Sequence, residues 1–436
     1  MTSSRTLGLT TMETWLHDLI PLTTPAPPRT RGRPPILPAA MLWAGLLVCV
    51  VRGWSSQRAL WRLLAAHGLW EFPAQPISDD AVYRRLERDG PAPLAALFTS
   101  VTQTLLERSR PDRTLAPFAT EVVAFDETTL DPVARTLPVL HDVPRGASAL
   151  LPGKVAAIFD VRRQLFRHIE LTDQPHQNER QFAPLLRDQL PKGSLILADL
   201  GYFGFEWFDR LTDDQYWWLA RVRANTSFLP VHTLYEDGDT RDVLVWLGAY
   251  RADKAKHLVR LIQIPHGETV HRYLTNVRDP QQLPLTAVGP LYARRWDIEL
   301  AFKLIKRDLG LHLLWSAKQS VLRIQVWAVL IIAQIALALR REIADQARVT
   351  IFEVSMTLLV QDLPRFAAQG TRDPVAWFVA VGRKLGYIRD SRRIVWEVPE
   401  IPPDAIVAPP EDLVTEREPR YAGRRCGPHR TDRRPT

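Results

Sequence analysis

The stretch YARRWDIELAFKLIK, residues 292–306, carries Tyr292, Arg295, Glu299 and Lys306 in the spacing Y-x2-R-x3-E-x6-K. Read as one helix at about 100° per residue, these four positions fall within an arc of roughly 60°. Ile298, Ala301, Ile305 and Leu309 cluster on the other side, which gives the same helix an apolar back to bury. One face thus presents a carboxylate flanked by two cations and a phenol. A carboxylate holds a divalent metal, and Arg and Lys hold phosphate oxygens. A metal ligand among phosphate binders suits phosphoryl transfer on nucleic acid. A solvated face of Glu–Arg and Glu–Lys pairs would carry the same residues, so the rest of the chain has to decide.

Upstream, the period changes from helix to strand after the proline-bearing stretch 111–117. EVVAF, residues 121–125, reads as a buried strand with Asp126 at its end. VAAIFD (155–160) and LFRHIEL (165–171) read as two strands joined by the tight VRRQ turn. Residues 177–189 look helical. SLILA (194–198) is another apolar strand, ending in Asp199; a short helix around 206–211 and the strand YWWLARV (216–222) follow. Three strands, a helix, then strand–helix–strand is the order of a ribonuclease-H-like α/β domain. In such a sheet the strands ending in Asp126 and Asp199 lie side by side. With Glu299 they make three carboxylates, the ligand set that a pair of Mg2+ ions about 3.5–4 Å apart requires. One ion would activate the attacking water or 3′-hydroxyl and the other would stabilise the leaving oxygen, with Asp126 bridging both. Oxygen donors with open positions favour Mg2+ or Mn2+ over zinc.

Between these strands and the opening helix, residues 224–289 break the period again. VLVWLGAY, HLVRLIQIP and HRYLTNV are short strand-like runs, which predicts a β-rich insertion. Trp246 stands within it as either a core side chain or an aromatic platform for a base. Past the opening helix, 320–341 is a long apolar helix and 350–390 is helical. From 399 onward the chain is rich in proline and arginine, with seven Arg in 417–434, and reads as a disordered basic tail.

The N-terminal part is helical from 39 to about 110. Ser78 caps SDDAVYRRLERDG, whose first turn holds Asp79 and Asp80 and which Gly90 ends. Two short helices, a connection, and a helix presenting Tyr83, Arg84, Arg85 and Arg88 resemble a helix-turn-helix variant, with a small helical subdomain as the alternative. Before it, 23–38 is too proline-rich for helix or strand. Arg31-Gly32-Arg33-Pro34 within it resembles the core of an AT-hook, whose guanidinium groups enter a narrow minor groove; a plain basic linker fits as well.

The organisation expected is therefore an N-terminal helical DNA-binding domain (1–115), a ribonuclease-H-like catalytic domain (116–345, insertion 224–289), a helical extension (346–398) and the tail (399–436). The 436 residues suffice for two or three domains, and 46% hydrophobic content with 14 tryptophans argues against global disorder. An excess of 56 Lys and Arg over 48 Asp and Glu, net +8, favours polyanion partners. Cys49 and Cys426 are the two cysteines, which leaves no disulfide framework and no Cys-based zinc site. This predicts a cytoplasmic, nucleoid-associated protein. The apolar runs 36–51 and 326–339 are shorter than the roughly 20 residues a membrane span needs, and Gln334 interrupts the second.

Three motifs carry a family resemblance. AFDETTL, LILADLGYF, and YLTNV followed by LYARRWDIELAFKLIKRDLGL resemble the first, second and third carboxylate motifs of DDE transposases of bacterial insertion sequences, in the branch with the Tyr-Arg-Glu-Lys signature. The resemblance covers roughly residues 78–340. It implies a DNA cleavage and strand-transfer enzyme using two Mg2+ (or Mn2+) ions on Asp126, Asp199 and Glu299. It implies further that Tyr292, Arg295 and Lys306 grip DNA near the transposon end, and that the partners are double-stranded DNA (inverted repeats and target) and a second copy in the DNA complex, with no membrane and no small-molecule substrate. Glu127 departs from the pattern, because the family has a small residue between the Asp and Thr128; its carboxylate would either perturb the metal or point into solvent. The competing readings are a nuclease or resolvase of the same fold that cuts without joining, and a DNA-binding regulator with an inactive site.

Overall fold

The computed structural model describes Leu16 and residues 36–54, 56–130, 153–174, 179–223, 225–249, 253–311, 315–316, 318–369, 373–391, 393, 396 and 401–421. Arg31 and Arg33 lie outside the described residues. The elements, in chain order, are α1 (Ala39–Val51), α2 (Gln57–Arg62), α3 (Asp79–Asp89), α4 (Ala92–Arg108), β1 (Val122–Thr129), β2 (Lys154–Asp160), β3 (Leu165–Thr172), α5 (Glu179–Arg187) and β4 (Leu195–Ala198). They continue as α6 (Phe205–Asp213), β5 (Trp217–Arg221), β6 (Phe228–Asp237), β7 (Thr240–Leu247), β8 (Val259–His266), β9 (Thr269–Thr275), α7 (Leu285–Ala293), α8 (Trp296–Lys303), α9 (Gln319–Ala347), α10 (Met356–Gln369) and α11 (Pro374–Leu385). The protein is an α/β chain with a large mixed sheet. It divides into two compact units, the first Met1–Asp112, Phe125–Phe182 and Trp296–Ile394, the second Arg113–Ala124, Ala183–Arg295 and Val395–Thr436.

In the first unit the helices surround α9, whose apolar composition and 29-residue length would suit a membrane span. It is instead a core helix, 89% buried over its most apolar window. Gln334 shows why. Its fully buried amide accepts from the Phe166 N–H (3.0 Å) and donates to the Phe166 carbonyl (2.6 Å) and to Thr102 Oγ1 (3.0 Å). One polar side chain thereby ties α9 to β3 and α4, and its own polar groups are satisfied. β2 and β3 pair antiparallel beside β1, joined by a turn in which Gln164 takes a left-handed φ of 60°. Ser56 caps α2, accepting from the Ala59 N–H, and a π-helical turn (Leu63–His67) prolongs it to Gly68. Ser78 caps α3 as its sequence predicts.

In the second unit the strand order is β1-β4-β5-β9-β8-β7-β6. β1, β4 and β5 run parallel, with Val122, Val123 and Ala124 opposite Leu195, Ile196 and Leu197, and with Leu197 and Ala198 opposite Leu219 and Ala220. β9 to β6 continue antiparallel. β6 was not legible in the sequence: Pro230 and two register shifts mark it as a bulged edge strand, which breaks the alternation that reveals strands. α6 packs on the sheet through Phe208, stacked on Trp218 at 4.1 Å. Arg260 and Asp242 form a fully buried ion pair between neighbouring strands β8 and β7, and Arg260 Nη1 also donates to the Leu283 carbonyl at 2.7 Å.

The expectation of disorder from 399 onward fails for residues 401–421. They run as a strap on the second unit, pairing at Lys254–Arg420 and His257–Glu416. Leu413 packs on the cluster of Leu234, Leu244, Trp246 and Leu258. The Arg417 guanidinium lies 4.7 Å over the Trp246 ring, and Tyr421 donates to Asp209 at 2.6 Å. Composition alone misled because two of the seven arginines spend their side chain or backbone bonds on the protein. Trp246 is a core residue beneath this strap.

Candidate active site

Asp199 follows the last residue of β4, and the second unit builds two of the signature positions against it. Tyr292, in the last turn of α7, is buried and donates its hydroxyl to the Ala198 carbonyl at 3.3 Å. Burial pushes that phenol well above its usual range, while Arg295 opposes the shift and Asp199 adds to it. The group therefore stays a protonated donor at any working pH. Arg295 is 4% exposed, and its Nε lies 4.0 Å from Asp199 Oδ1. The Asp199 side chain is 40% exposed, so a buried guanidinium stands beside a carboxylate that solvent or a ligand can reach.

Two residues that the sequence reading passed over belong to the same rim. Ala198 pairs with Ala220, so the next residue along each of these parallel strands is Asp199 on one and Arg221 on the other. Arg221 is exposed, pairs with Tyr273 across β9, and reaches His271 Nδ1 at 3.5 Å. Burial, Arg221 and His266 together depress the His271 imidazole, which leaves it neutral beside that cation. Burial pushes Tyr273 up to about 12, against the pull of Arg221. Arg223 lies over the Phe203 ring at 5.2 Å and donates to the Leu200 carbonyl at 2.6 Å. Arg295 thus stands beside Asp199, Arg221 follows Ala220 on the neighbouring strand, and Arg223 bonds to the residue after Asp199. Strand spacing could have pointed to Arg221, since it ends YWWLAR as Asp199 ends SLILAD.

Ala124 of β1 is opposite Leu197 of β4. Asp126 comes two residues after Ala124, still within β1, and Asp199 two residues after Leu197, just past the end of β4.

In the first unit Asp126 is half-buried on β1 and accepts the N–H of Glu127 at 2.8 Å. Glu127 does not point into solvent. Its side chain is 3% exposed and pairs with Lys154 of β2 at 3.0 Å. Successive side chains on a strand point to opposite faces, so the extra carboxylate turns away from Asp126. Glu299 is half-buried on α8 and Lys306 half-buried beyond it.

The single helix assumed for Tyr292 to Lys306 is a correction. The Arg294 and Arg295 N–H groups bond to carbonyls three residues back, Leu291 and Tyr292, so a tight turn separates α7 from α8. A π-helical turn, Leu304–Asp308, follows α8, with the Leu309 N–H on the Leu304 carbonyl at 3.0 Å. Tyr292, Arg295, Glu299 and Lys306 thus sit in four differently wound segments, and the common arc of a regular helix does not apply. Among the described residues no group of three or more His, Cys, Asp or Glu side chains stands close enough to hold a metal ion.

The N-terminal arginines differ from one another. Arg84 is exposed and pairs with Asp80 at 3.0 Å, and Arg88 is exposed beside Asp89. Arg85 faces inward, its guanidinium shared by Asp89 and the Leu37 carbonyl. Tyr83 is covered by Lys318 and contacts Ser316.

Residues 121–335, just under half of the chain, match the family described as the Transposase DDE domain. The matched span contains Asp126, Asp199, Tyr292, Arg295, Glu299 and Lys306. Two relatives are transposases by name. The y4zB protein of Sinorhizobium fredii (strain NBRC 101917 / NGR234), a transposase by name, is 26% identical over 216 residues, 48% of this chain and 58% of the relative. The transposase InsG for insertion sequence element IS4 of Escherichia coli (strain K12) is 25% identical over 165 residues, 35% of this chain and 36% of that protein. The aligned part of the chain thus spans about half the length of the curated relatives it matches. Among solved structures, a piggyBac transposase synaptic complex with hairpin DNA aligns over 92% of this chain and 86% of its own at TM-score 0.41 and 10% identity, too low a score to define the fold.

Proposed function

We propose that the chain is a DDE transposase, of the insertion-sequence type with the Tyr-Arg-Glu-Lys signature, acting on double-stranded DNA. The observation that carries this reading is the set built at the end of β4, where Arg295 stands against Asp199 and Tyr292 against its neighbour Ala198, inside the span that matches a transposase DDE domain. The strand order β3-β2-β1-β4-β5, antiparallel then parallel, supports a ribonuclease-H-like core. The four-part domain division read from the sequence is kept as part of this proposal, with the strap 401–421 joined to the second unit.

Asp126, Asp199 and Glu299 are the residues that would hold divalent metal, and their hard oxygen donors fit Mg2+ or Mn2+. Two such ions would supply an activated nucleophile and a stabilised leaving oxygen. Arg295 is placed to clamp a phosphate beside Asp199, since a buried planar guanidinium offers two parallel donors in a fixed direction. Tyr292 holds the strand end bearing Asp199 in place through Ala198. Arg221 and Arg223 extend the rim along which a backbone would lie. Lys306 serves as a point charge. Arg84 and Arg88 are exposed and available to phosphate on exchanging their carboxylate partners, whereas Arg85 is committed internally. Arg31 and Arg33 precede them as minor-groove contacts, and the DNA complex contains two copies.

The test is an assay of the full chain on duplexes ending in the inverted repeats that flank its own gene, with Mg2+ and a target duplex. A transposase yields cleaved ends and joined products. Cleavage without joining would mark a nuclease or resolvase, and binding without cleavage a regulator.

A further inference from the structure

Glu299 sits on a short helix. α8 is eight residues long, a tight turn precedes it and a π-helical turn follows it. Its buried residues are Asp297, Ile298, Ala301 and Phe302. Phe302 packs on Phe166 at 6.0 Å, which fixes how close the helix lies to β3. Ile298, Ala301 and Phe302 bury one face of the helix. A cavity of about 140 Å3, lined in part by Phe159, Gln164, Asp297, Leu300 and Arg393, adjoins it.

Directional bonds add to this packing at Asp297. This carboxylate is 3% exposed, two residues before Glu299. Its Oδ2 accepts from Gln164 Nε2 at 2.6 Å, and its Oδ1 accepts from the Arg393 guanidinium. Gln164 is itself fixed: it is buried, its N–H bonds to the Asp160 carbonyl at 2.7 Å, and its amide also donates to the Val161 carbonyl at 2.9 Å. Arg393 is held flat, 3.6 Å over the Phe352 ring. Positions two apart on a helix point about 200° apart, so Asp297 bonded inward directs Glu299 to the opposite side.

We infer that Asp297, held by Gln164 and Arg393, is a positioning residue that aims Glu299, and that the segment after α11 thereby serves the active site without contributing a ligand to it. This rests on the reading of Glu299 as a metal ligand.

The experiment measures Mn2+ binding to the full chain by electron paramagnetic resonance, beside a thermal melt, for wild type, Glu299→Gln, Asp297→Asn, Arg393→Lys and Leu363→Ala. Leu363 is a buried α10 residue and controls for lost stability alone. Loss of a group that orients a metal ligand typically costs about tenfold in metal affinity, so Asp297→Asn should weaken Mn2+ binding by about that factor. Arg393→Lys should shift it the same way by a smaller factor, and Leu363→Ala should lower the melting temperature with Mn2+ binding unchanged. Arg393→Lys alters a partly exposed side chain and decides the matter if Asp297→Asn does not fold. Should Glu299→Gln weaken Mn2+ binding while Asp297→Asn and Arg393→Lys leave it at the wild-type value, the inference is overturned and the site reading stands. Should Glu299→Gln itself bind Mn2+ as wild type does, the site reading fails and takes the inference with it.

Discussion

The Nε of Arg295 lies 4.0 Å from Oδ1 of Asp199, with the guanidinium buried and the carboxylate open to solvent. A surface salt bridge would have both partners exposed and would contribute little. Here the cation is pre-placed in the wall beside an acidic group that remains accessible, an arrangement suited to receiving a phosphate.

That geometry predicts a strong response to a change that keeps the charge. Arg295→Lys should slow single-turnover cleavage of an end duplex by roughly ten- to a hundredfold, since losing one charge-assisted bond to phosphate costs about 1.5–3 kcal/mol. Lys306→Arg should be milder, because a point charge is replaced by another cation. If both positions were plain surface cations, each swap would stay within about 0.5 kcal/mol of wild type. A wild-type rate for Arg295→Lys would remove this face from the DNA.

Glu127 yields a second prediction. Because its carboxylate is buried and pairs with Lys154, Glu127→Gln should leave the Mg2+ requirement for cleavage unchanged. Lys154→Met should instead lower stability by about 1.5–3 kcal/mol, the usual contribution of a hydrogen bond to a charged group. Denaturant titration of Lys154→Met and of the double variant tests this, with the double variant recovering part of the loss. A shifted metal requirement in Glu127→Gln would place that carboxylate in the site.

The strap gives a third. A chain ending at residue 421 should melt within about 0.5 kcal/mol of the full chain. One ending at residue 400 loses Leu413 from the Trp246 cluster, Arg417 from the Trp246 ring and Tyr421 from Asp209. It should be destabilised by on the order of 2–4 kcal/mol, with faster amide exchange in β7. Equal melting of the two truncations would show the strap to be an ornament on the sheet.

How far the sequence could be read follows from what each signal reports. The strands carrying Asp126 and preceding Asp199 were legible because both begin as continuous apolar runs, but β1 does not stop at Asp126 as its sequence suggests and continues to Thr129. β6 was hidden by Pro230 and its bulges. The helix through Glu299 was legible as apolar period, but the tight turn at Arg294 and Arg295 and the π-helical turn at Leu304 are backbone choices that periodicity does not encode. Arg221 and Asp297 escaped notice for a related reason: the first acquires meaning from its strand neighbour, the second from Gln164 and Arg393, 133 and 96 residues distant in sequence. The tail misled because arginine-rich composition describes solvation and says nothing of a specific stack on Trp246.

The central claim, that Asp126, Asp199 and Glu299 form one metal-dependent centre, is tested most directly by substituting each with Ala. Cleavage and end binding would be measured on the same preparations across a Mg2+ and Mn2+ series. The account predicts that each variant binds the end duplex within a few-fold of wild type and that none cleaves or joins it at any metal concentration, since these groups hold metal and not the bulk of the DNA backbone. Metal-dependent cleavage surviving in any one of the three would contradict it.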